Sequence, residues 1–580
     1  MDAPKQPQKS NSVREAEHWI EALPLANVSK TSELVYDYLG GIAKNALSIK
    51  DNIAILIALE PTLEFIRRSL KKYYLGPTNT STAQKPKIIK ISLALESRAA
   101  SAYAFCLREN KLKKELKPNS RQIVSAIYQA LTHLCNILVI CFQLYRLPPK
   151  ELWLKIHRLY HFADENELTD IPICIGDDKK STVLNAYKRC LLLATTDPYR
   201  FRHQEIGLID QKLNDWYDLV DIIERDFDKA LFVWQLDQDK MPQYRLVDQK
   251  QTEKTTCRGL VTQKLPQVIN KFLETYTEKK DGISVSALQH LRHVWGVFTP
   301  REHPRMPESG KLNVCIGLSA THHSLSGEKP FAKLQQAKST ELETSPEDVE
   351  LSPALKRWEK DQSSATPDPW EIMYTNINTD ALAGIKPLVD MGTDEDVQKP
   401  KYKPQQWDII DASPTGLCLA SKASDNVSLL AGEIIGLQEP SQKYAYQWRI
   451  GMIRWVRCEN TMVKLGIQIL APSAVGIAIQ IRRDTNTDYL RGLLLPDLVN
   501  IGQPSTLILP PLEAKEGDTA HIISQNLESE VKLNRCLISN NSFQQFAYET
   551  ISTIKDQVSA IRGPKDDIDS DLDSAWDEIE

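Results

Sequence analysis

The sequence predicts an α+β multidomain protein: an N-terminal α-helical array or bundle, an antiparallel β-barrel split by a disordered insertion, and a small C-terminal β-module. Three observations carry that class. Apolar residues recur at helical spacing through most of residues 13–228. From residue 404 onward they fall in short alternating runs bounded by turn residues, the pattern of half-buried strands. Between the two patterns, residues 324–403 are rich in Ser, Thr, Glu, Lys and Pro and hold no apolar period.

The helical half begins after a polar N-terminus, residues 1–14, which is Pro- and Gln-rich and has no apolar secretory core. Glu15-Ala16-Glu17-His18-Trp19-Ile20-Glu21-Ala22-Leu23 opens it, and residues 29–44 put Leu34, Val35, Tyr38 and Leu39 on one face. Residues 53–75 space Leu56, Leu59, Leu63 and Ile66 in the same way. That run ends in a basic turn, Arg67, Arg68, Lys71 and Lys72, before Gly76-Pro77. Further helices are expected at 88–111, 120–147, 149–164, 181–195, 199–208 and 211–225. The second of these is the most apolar, but Gln129, His133, Asn136 and Gln143 interrupt it. Its unbroken apolar run, 137–142, is too short to span a bilayer, so it reads as a buried helix. A β-hairpin near 231–248 and helices over 259–276 and 285–297 complete the half, which shows no 34-residue self-similarity.

With 580 residues the chain accommodates two to four domains, and 42% hydrophobic and 25% charged residues are ordinary for a soluble protein. A net charge of −5 supplies no basic field, so nucleic acid is not an expected partner. Ten cysteines without a C-x-x-C pair argue against a zinc ribbon or disulfide framework and fit a reducing cytosol. His157 and His161 have the i, i+4 spacing of a metal pair. No zincin-type Glu or third ligand accompanies them, so they read as packing or surface residues. Asp197-Pro198-Tyr199-Arg200-Phe201-Arg202 reads as a helix-start turn. No P-loop, G-x-S-x-G, H-E-x-x-H or Gly-rich dinucleotide fingerprint is present, so no enzyme and no cofactor are expected.

Two stretches have chemistry to offer. Thr299-Pro300-Arg301-Glu302-His303-Pro304-Arg305 places two arginines four apart just before a strand-like run, residues 311–319. Guanidinium groups match phosphate oxygens bidentately and stack on purines. Trp407-Asp408-Ile409-Ile410-Asp411-Ala412-Ser413-Pro414-Thr415-Gly416-Leu417-Cys418-Leu419-Ala420 reads as two strands joined by a polar turn. Asp411 and Ser413 bring a carboxylate and a hydroxyl two residues apart, and Gly416 permits close approach. By itself this reads as a hairpin turn in an ordinary β-barrel.

The pair R-x-x-x-R and D-x-S-x-x-G resembles the bipartite signature of the PilZ family, small β-barrels that bind cyclic di-GMP. The chain beyond Gly416 is similar to that family too: a strand over 429–437, then Trp448-Arg449-Ile450-Gly451-Met452-Ile453-Arg454-Trp455-Val456, then Val463-Lys464-Leu465-Gly466-Ile467-Gln468-Ile469-Leu470. The resemblance implies that Arg301, Arg305, Asp411, Ser413 and Gly416 bind cyclic di-GMP. In that reading the arginines meet phosphate and guanine, Asp411 accepts from a guanine edge, and Ser413 donates. Signatures of a diguanylate cyclase or phosphodiesterase, G-G-D-E-F and E-A-L, are absent. One departure is the separation: Arg305 and Asp411 lie 106 residues apart, where PilZ domains keep the motifs within a few tens. The insertion accounts for it, since lengthening a loop tenfold costs only about 2 kcal/mol of closure entropy. Pro300 stands where some relatives carry another Arg, which leaves ligand stoichiometry open.

The whole plan resembles the long PilZ receptors of the FimW type linked to type IV pili. It implies a bacterial receptor acting in twitching motility and biofilm behaviour. The expected domains are a helical domain at 15–290, a split barrel at 291–323 and 404–483, the insertion at 324–403, a C-terminal β-module at 484–550 and an acidic tail at 551–580. Residues 566–580 hold eight acidic and no basic side chains, the mark of a solvated tail or of a segment that folds on a basic partner. An unidentified protein partner, met through the helical domain or the tail, is expected. So are a cytoplasmic location with recruitment to the cell pole, and no membrane insertion. The competing reading is an interaction scaffold with a degenerate PilZ fold that binds no nucleotide.

Overall fold

The computed structural model describes residues 12–553 apart from 45–46, 77–83, 176–178, 247–255, 276–281, 299–303, 328–330, 332–401, 423–428, 441–447, 460, 483–487, 498–503, 512–513 and 525–527. It is α+β and multidomain, and divides into two compact units. The first takes in residues 1–302 with 422–431 and 455–464.

Helices of the first unit begin where the sequence provides caps. Ser12, Asn27 and Ser48 each accept the backbone N–H three residues on, at 3.2, 3.1 and 3.1 Å. Each closes one orphan donor, so α1 (Val13–Glu21), α2 (Val28–Gly41) and α3 (Ile49–Leu75) start there. Next come α4 (Lys85–Lys113), α5 (Arg121–Gln143) and α6 (Leu152–Glu165). A short hairpin, β1 (Ile173–Ile175) and β2 (Lys179–Ser181), leads to α7 (Val183–Thr195) and α8 (His203–Leu213). The apolar helix expected from the sequence is the axis: α5 packs against α3, α4, α6, α7 and α8. It is long and apolar enough to cross a membrane, yet 78% of its apolar window is buried inside the protein.

Its polar residues meet partners from neighbouring helices. Glu96 on α4 takes Arg67 Nε of α3 at 2.6 Å, His133 Nδ1 of α5 at 2.7 Å and Asn136 Nδ2 at 3.1 Å. The other ring nitrogen of His133 lies 3.0 Å from Glu60 Oε1, which also accepts from the Tyr103 hydroxyl at 2.8 Å. A ring with a carboxylate on each nitrogen donates twice and is therefore an imidazolium.

Two helices expected from the sequence are cut short. The one expected over 211–225 is instead the end of α8, followed by β3 (Asp221–Ile223). The one expected over 259–276 begins as strand β6 (Cys257–Val261), and α9 (Leu265–Glu274) starts only after it. Pairing overrides local periodicity here. The anticipated hairpin, β4 (Phe232–Gln235) and β5 (Gln243–Tyr244), grows into a sheet of order β3-β6-β4-β5, in which β6 bonds to both β3 and β4. The α10 helix (Val285–Val294) ends this part. Within the same unit, Tyr145 ties in the two outlying segments. Its carbonyl accepts from Cys458 N at 2.6 Å, and its hydroxyl accepts from Ala431 N at 3.2 Å while donating to Phe201 O at 2.9 Å.

Two closed six-stranded barrels make up the β half. The first runs β10-β11-β12-β9-β8-β7, from β7 (Met306–Ile316), β8 (Gln405–Ser413), β9 (Gly416–Lys422), β10 (Ile434–Gln438), β11 (Arg449–Glu459) and β12 (Met462–Ala471). After β7 the chain turns into a helix, α11 (Leu318–Leu325), so the strand expected to run to 319 ends earlier.

The C-terminal barrel runs β13-β14-β15-β18-β17-β16. Its strands are β13 (Val475–Arg482), β14 (Leu490–Leu495), β15 (Thr506–Leu509), β16 (Thr519–Ile523), β17 (Glu528–Ser539) and β18 (Gln544–Thr553). The expected boundary after 483 is therefore displaced: β13 pairs with β14 and β16 and belongs to the second barrel. Closure removes both sheet edges, which a loose module of short strands would have left unpaired. Leu493, Leu495, Ile508 and Phe543 of the second barrel share one core with Ile434, Trp448 and Ile450 of the first and with Leu318 and Leu325 of α11. The N-terminus, expected to be disordered over 1–14, begins α1 already at Val13; residues 1–11, most of the insertion and most of the acidic tail fall outside the described residues.

Candidate functional site

Arg305 stands one residue before β7, and β7 pairs with β8 so that Met306 faces Ala412 and Pro307 faces Asp411. That register carries the guanidinium to the carboxylate: Arg305 Nη1 forms an ion pair with Asp411 Oδ1, with the side chains 24% and 29% exposed. Both strands are irregular at this point. A register shift interrupts β7 between Pro307 and Gly310 and another interrupts β8 between Ile409 and Asp411. Pro307 cannot donate to a ladder, so it belongs at such a break, and bulges re-aim the side chains beside them.

On the far side of Asp411, β8 and β9 are joined by Pro414-Thr415, with Ser413 opposite Gly416. Ser413 Oγ donates to the Gly416 carbonyl at 3.2 Å. The Thr415 carbonyl accepts from Ile469 N of β12 at 3.0 Å, which seats the turn on the barrel. Gly416 is required by proximity rather than by φ. A Cβ there would lie 2.5 Å from the Ile467 carbonyl oxygen and 3.7 Å from Arg305 Nη2. Gly416→Ala is therefore expected to force β9 from β12, destabilise the barrel by about 1–3 kcal/mol and displace the turn. A lowered melting temperature together with weakened ligand binding would show it.

The structure thus brings Arg305, Asp411, Ser413 and Gly416 into one cluster at the start of the first barrel, while Arg301 lies outside the described residues. The chemistry available is one guanidinium fork, one carboxylate and one hydroxyl around exposed β8–β9 turn backbone. Sequence reasoning missed the Ile467 carbonyl, because a main-chain oxygen carries no signature.

The histidine pair of α6 separates. His157 is buried, with Nδ1 2.8 Å from the Tyr187 hydroxyl and Nε2 2.9 Å from the Lys240 carbonyl, and burial lowers its pKa to about 4. His161 faces Glu165 at 3.4 Å. Among the described residues no group of three His, Cys, Asp or Glu is placed to hold a metal.

Comparison with known proteins covers the chain domain by domain. Residues 14–226 match the family model described as the N-terminal domain of the cyclic-di-GMP receptor FimW, and residues 231–475 match its middle PilZ domain. Residues 475–551 match the FimW C-terminal β-barrel domain, which begins at the first residue of β13. The chain is also 27% identical over 601 aligned positions to the cyclic-di-GMP receptor FimW of Pseudomonas aeruginosa, an alignment covering 97% of this chain and 95% of that protein. No solved structure matches the chain. Matched in its N-terminal, middle and C-terminal domains between residues 14 and 551, the chain belongs to the FimW family of PilZ-domain proteins.

Proposed function

We propose that this protein is a non-enzymatic cytoplasmic receptor for cyclic di-GMP, bound by Arg301, Arg305, Asp411, Ser413 and Gly416. The observation that carries the reading is the convergence of Arg305, Asp411, Ser413 and Gly416, drawn from two motifs 106 residues apart. Cyclic di-GMP is a dianion with two guanines, so its phosphate competes with Asp411 for the Arg305 fork. Asp411, once released, accepts from guanine N1–H and the exocyclic amine, and charge-assisted bonds of this kind are the strong ones. Binding exchanges one ion pair for contacts to the ligand.

Binding at the barrel is coupled to a protein-interaction surface on the helical unit. Residues 299–303 lie in the chain between the end of α10 and the barrel site, so holding the arginines alters the chain at the point where the two meet in sequence. Within the helical unit, Tyr145 bonds to Ala431 and Cys458. A surface of the helical unit then engages a protein partner in the control of type IV pili, surface motility and biofilm, with recruitment to the cell pole.

Isothermal titration of cyclic di-GMP against wild type and Arg301→Ala tests the reading. Binding by the wild type that the substitution weakens supports it, and no binding by the wild type overturns it. The Arg305–Asp411 pair favours one alternative, a scaffold whose site is satisfied internally and takes no nucleotide. The same titration decides between them.

A further inference from the structure

A groove of about 690 Å³ lies on the helical unit between α4, α5 and α6. Leu93 and Phe105 of α4, Ile137 of α5 and Leu159 of α6 give it an apolar floor. Cations stand on both walls: Lys90 and Arg108 on α4, and Lys150, Lys155 and Arg158 at and along α6. All five are exposed, and none of the described residues lining the groove is Asp or Glu. Along α4 the lining extends from Lys90 to Arg108, about 27 Å of helix at 1.5 Å per residue.

The chain contains a segment of matching chemistry. Ile568, Leu572, Trp576 and Ile579 are spaced 4, 4 and 3 residues apart. Turned through about 100° per residue, they and Ala575 fill one stripe about 100° wide that holds no charge. Asp567, Asp571 and Glu578 fall along one side of the stripe, and Asp569, Asp573 and Glu580 along the other. The stripe is about 17 Å long at helical rise, within the length of the groove. Gly563-Pro564 stands just before the segment, where a helix start tolerates Pro.

We propose that residues 566–580 dock as an amphipathic helix into this groove of their own chain, with the apolar stripe on the floor and a row of carboxylates against each cationic wall. So short and acidic a segment has little reason to be helical alone, because nucleation is costly. The groove supplies the apolar burial and the counter-charges together. Because segment and groove belong to one chain, docking is intramolecular and does not depend on protein concentration. The inference is independent of nucleotide binding. It assigns the cationic groove a built-in competitor, which a partner helix of the same acidic amphipathic type has to displace.

The test uses a fluorescein-labelled peptide of residues 564–580 and two full-length proteins, wild type and Leu572→Asp/Trp576→Asp, in which the tail can no longer dock. By fluorescence anisotropy the tail variant is expected to bind the peptide at least tenfold more tightly than wild type. Adding Lys155→Glu/Arg158→Glu to the tail variant is expected to weaken that binding at least tenfold. These side chains are exposed, so circular dichroism should be unchanged. Absence of peptide binding to the tail variant, equal binding to both proteins, or binding indifferent to the charge reversal would each overturn the proposal. A wild-type protein that sediments as a dimer beside a monomeric tail variant would overturn docking within one chain.

Discussion

Arg305→Ala is expected to weaken cyclic di-GMP binding by about 100-fold, close to 2.7 kcal/mol, with little effect on folding. Removing one partner of a hydrogen-bonded charge pair in a bound complex costs about 2–5 kcal/mol, and Arg305 is proposed to meet a phosphate or guanine through such bonds. Among the described residues, Asp411 is the ion-pair partner of that side chain in the barrel. That carboxylate is 29% exposed and regains water when the arginine is removed, so the fold should lose no more than about 1 kcal/mol. Arg305→Lys separates charge from geometry. It retains the cation but loses the planar fork, and an intermediate affinity is expected. Titration calorimetry on the three proteins, with thermal melts as controls, reads the effect. An alanine variant within threefold of wild type would remove Arg305 from the site.

The largest effect on stability is expected in the helical unit, where Glu96→Leu should cost about 3–5 kcal/mol by leaving Arg67 and His133 charged without their shared partner. The same network sets a pH dependence with two edges. Burial by itself would raise the Glu96 pKa, but the Arg67 charge and the His133 hydrogen bond overcome it, lowering the value from 4.5 to about 2. A depressed carboxylate pKa stabilises above 4.5, and that contribution is lost as pH falls toward 2. For His133, burial would lower the pKa, but the Glu60 charge and the hydrogen bonds to Glu60 and Glu96 raise it from 6.5 to about 9. A raised histidine pKa stabilises fully below 6.5, and that contribution disappears as pH rises through 9. Urea midpoints of the helical signal should therefore be highest near pH 5–6 and fall on both sides, with the acid edge missing in Glu96→Leu. A wild-type midpoint that is level from pH 6.5 to 9 would show that His133 is not held as an imidazolium.

Residue patterns alone determined the class of each half, because apolar periods of 3.6 and 2 report which face of an element meets a core. They located α5 as a buried helix, set the strands of the first barrel and singled out Asp411, Ser413 and Gly416 beside their turn. Pairing between distant segments was decided only in three dimensions. Local periodicity could not show that β6 would join a sheet rather than a helix, or that β13 would close the second barrel instead of the first. Nor could His133, read as a polar break in an apolar run, disclose the carboxylates of Glu60 and Glu96. Arg305 and Asp411 make the same point at the site. Their types and motifs stand in the sequence, but their ion pair depends on the register of β7 against β8, which is set by hydrogen bonding and core packing across the barrel.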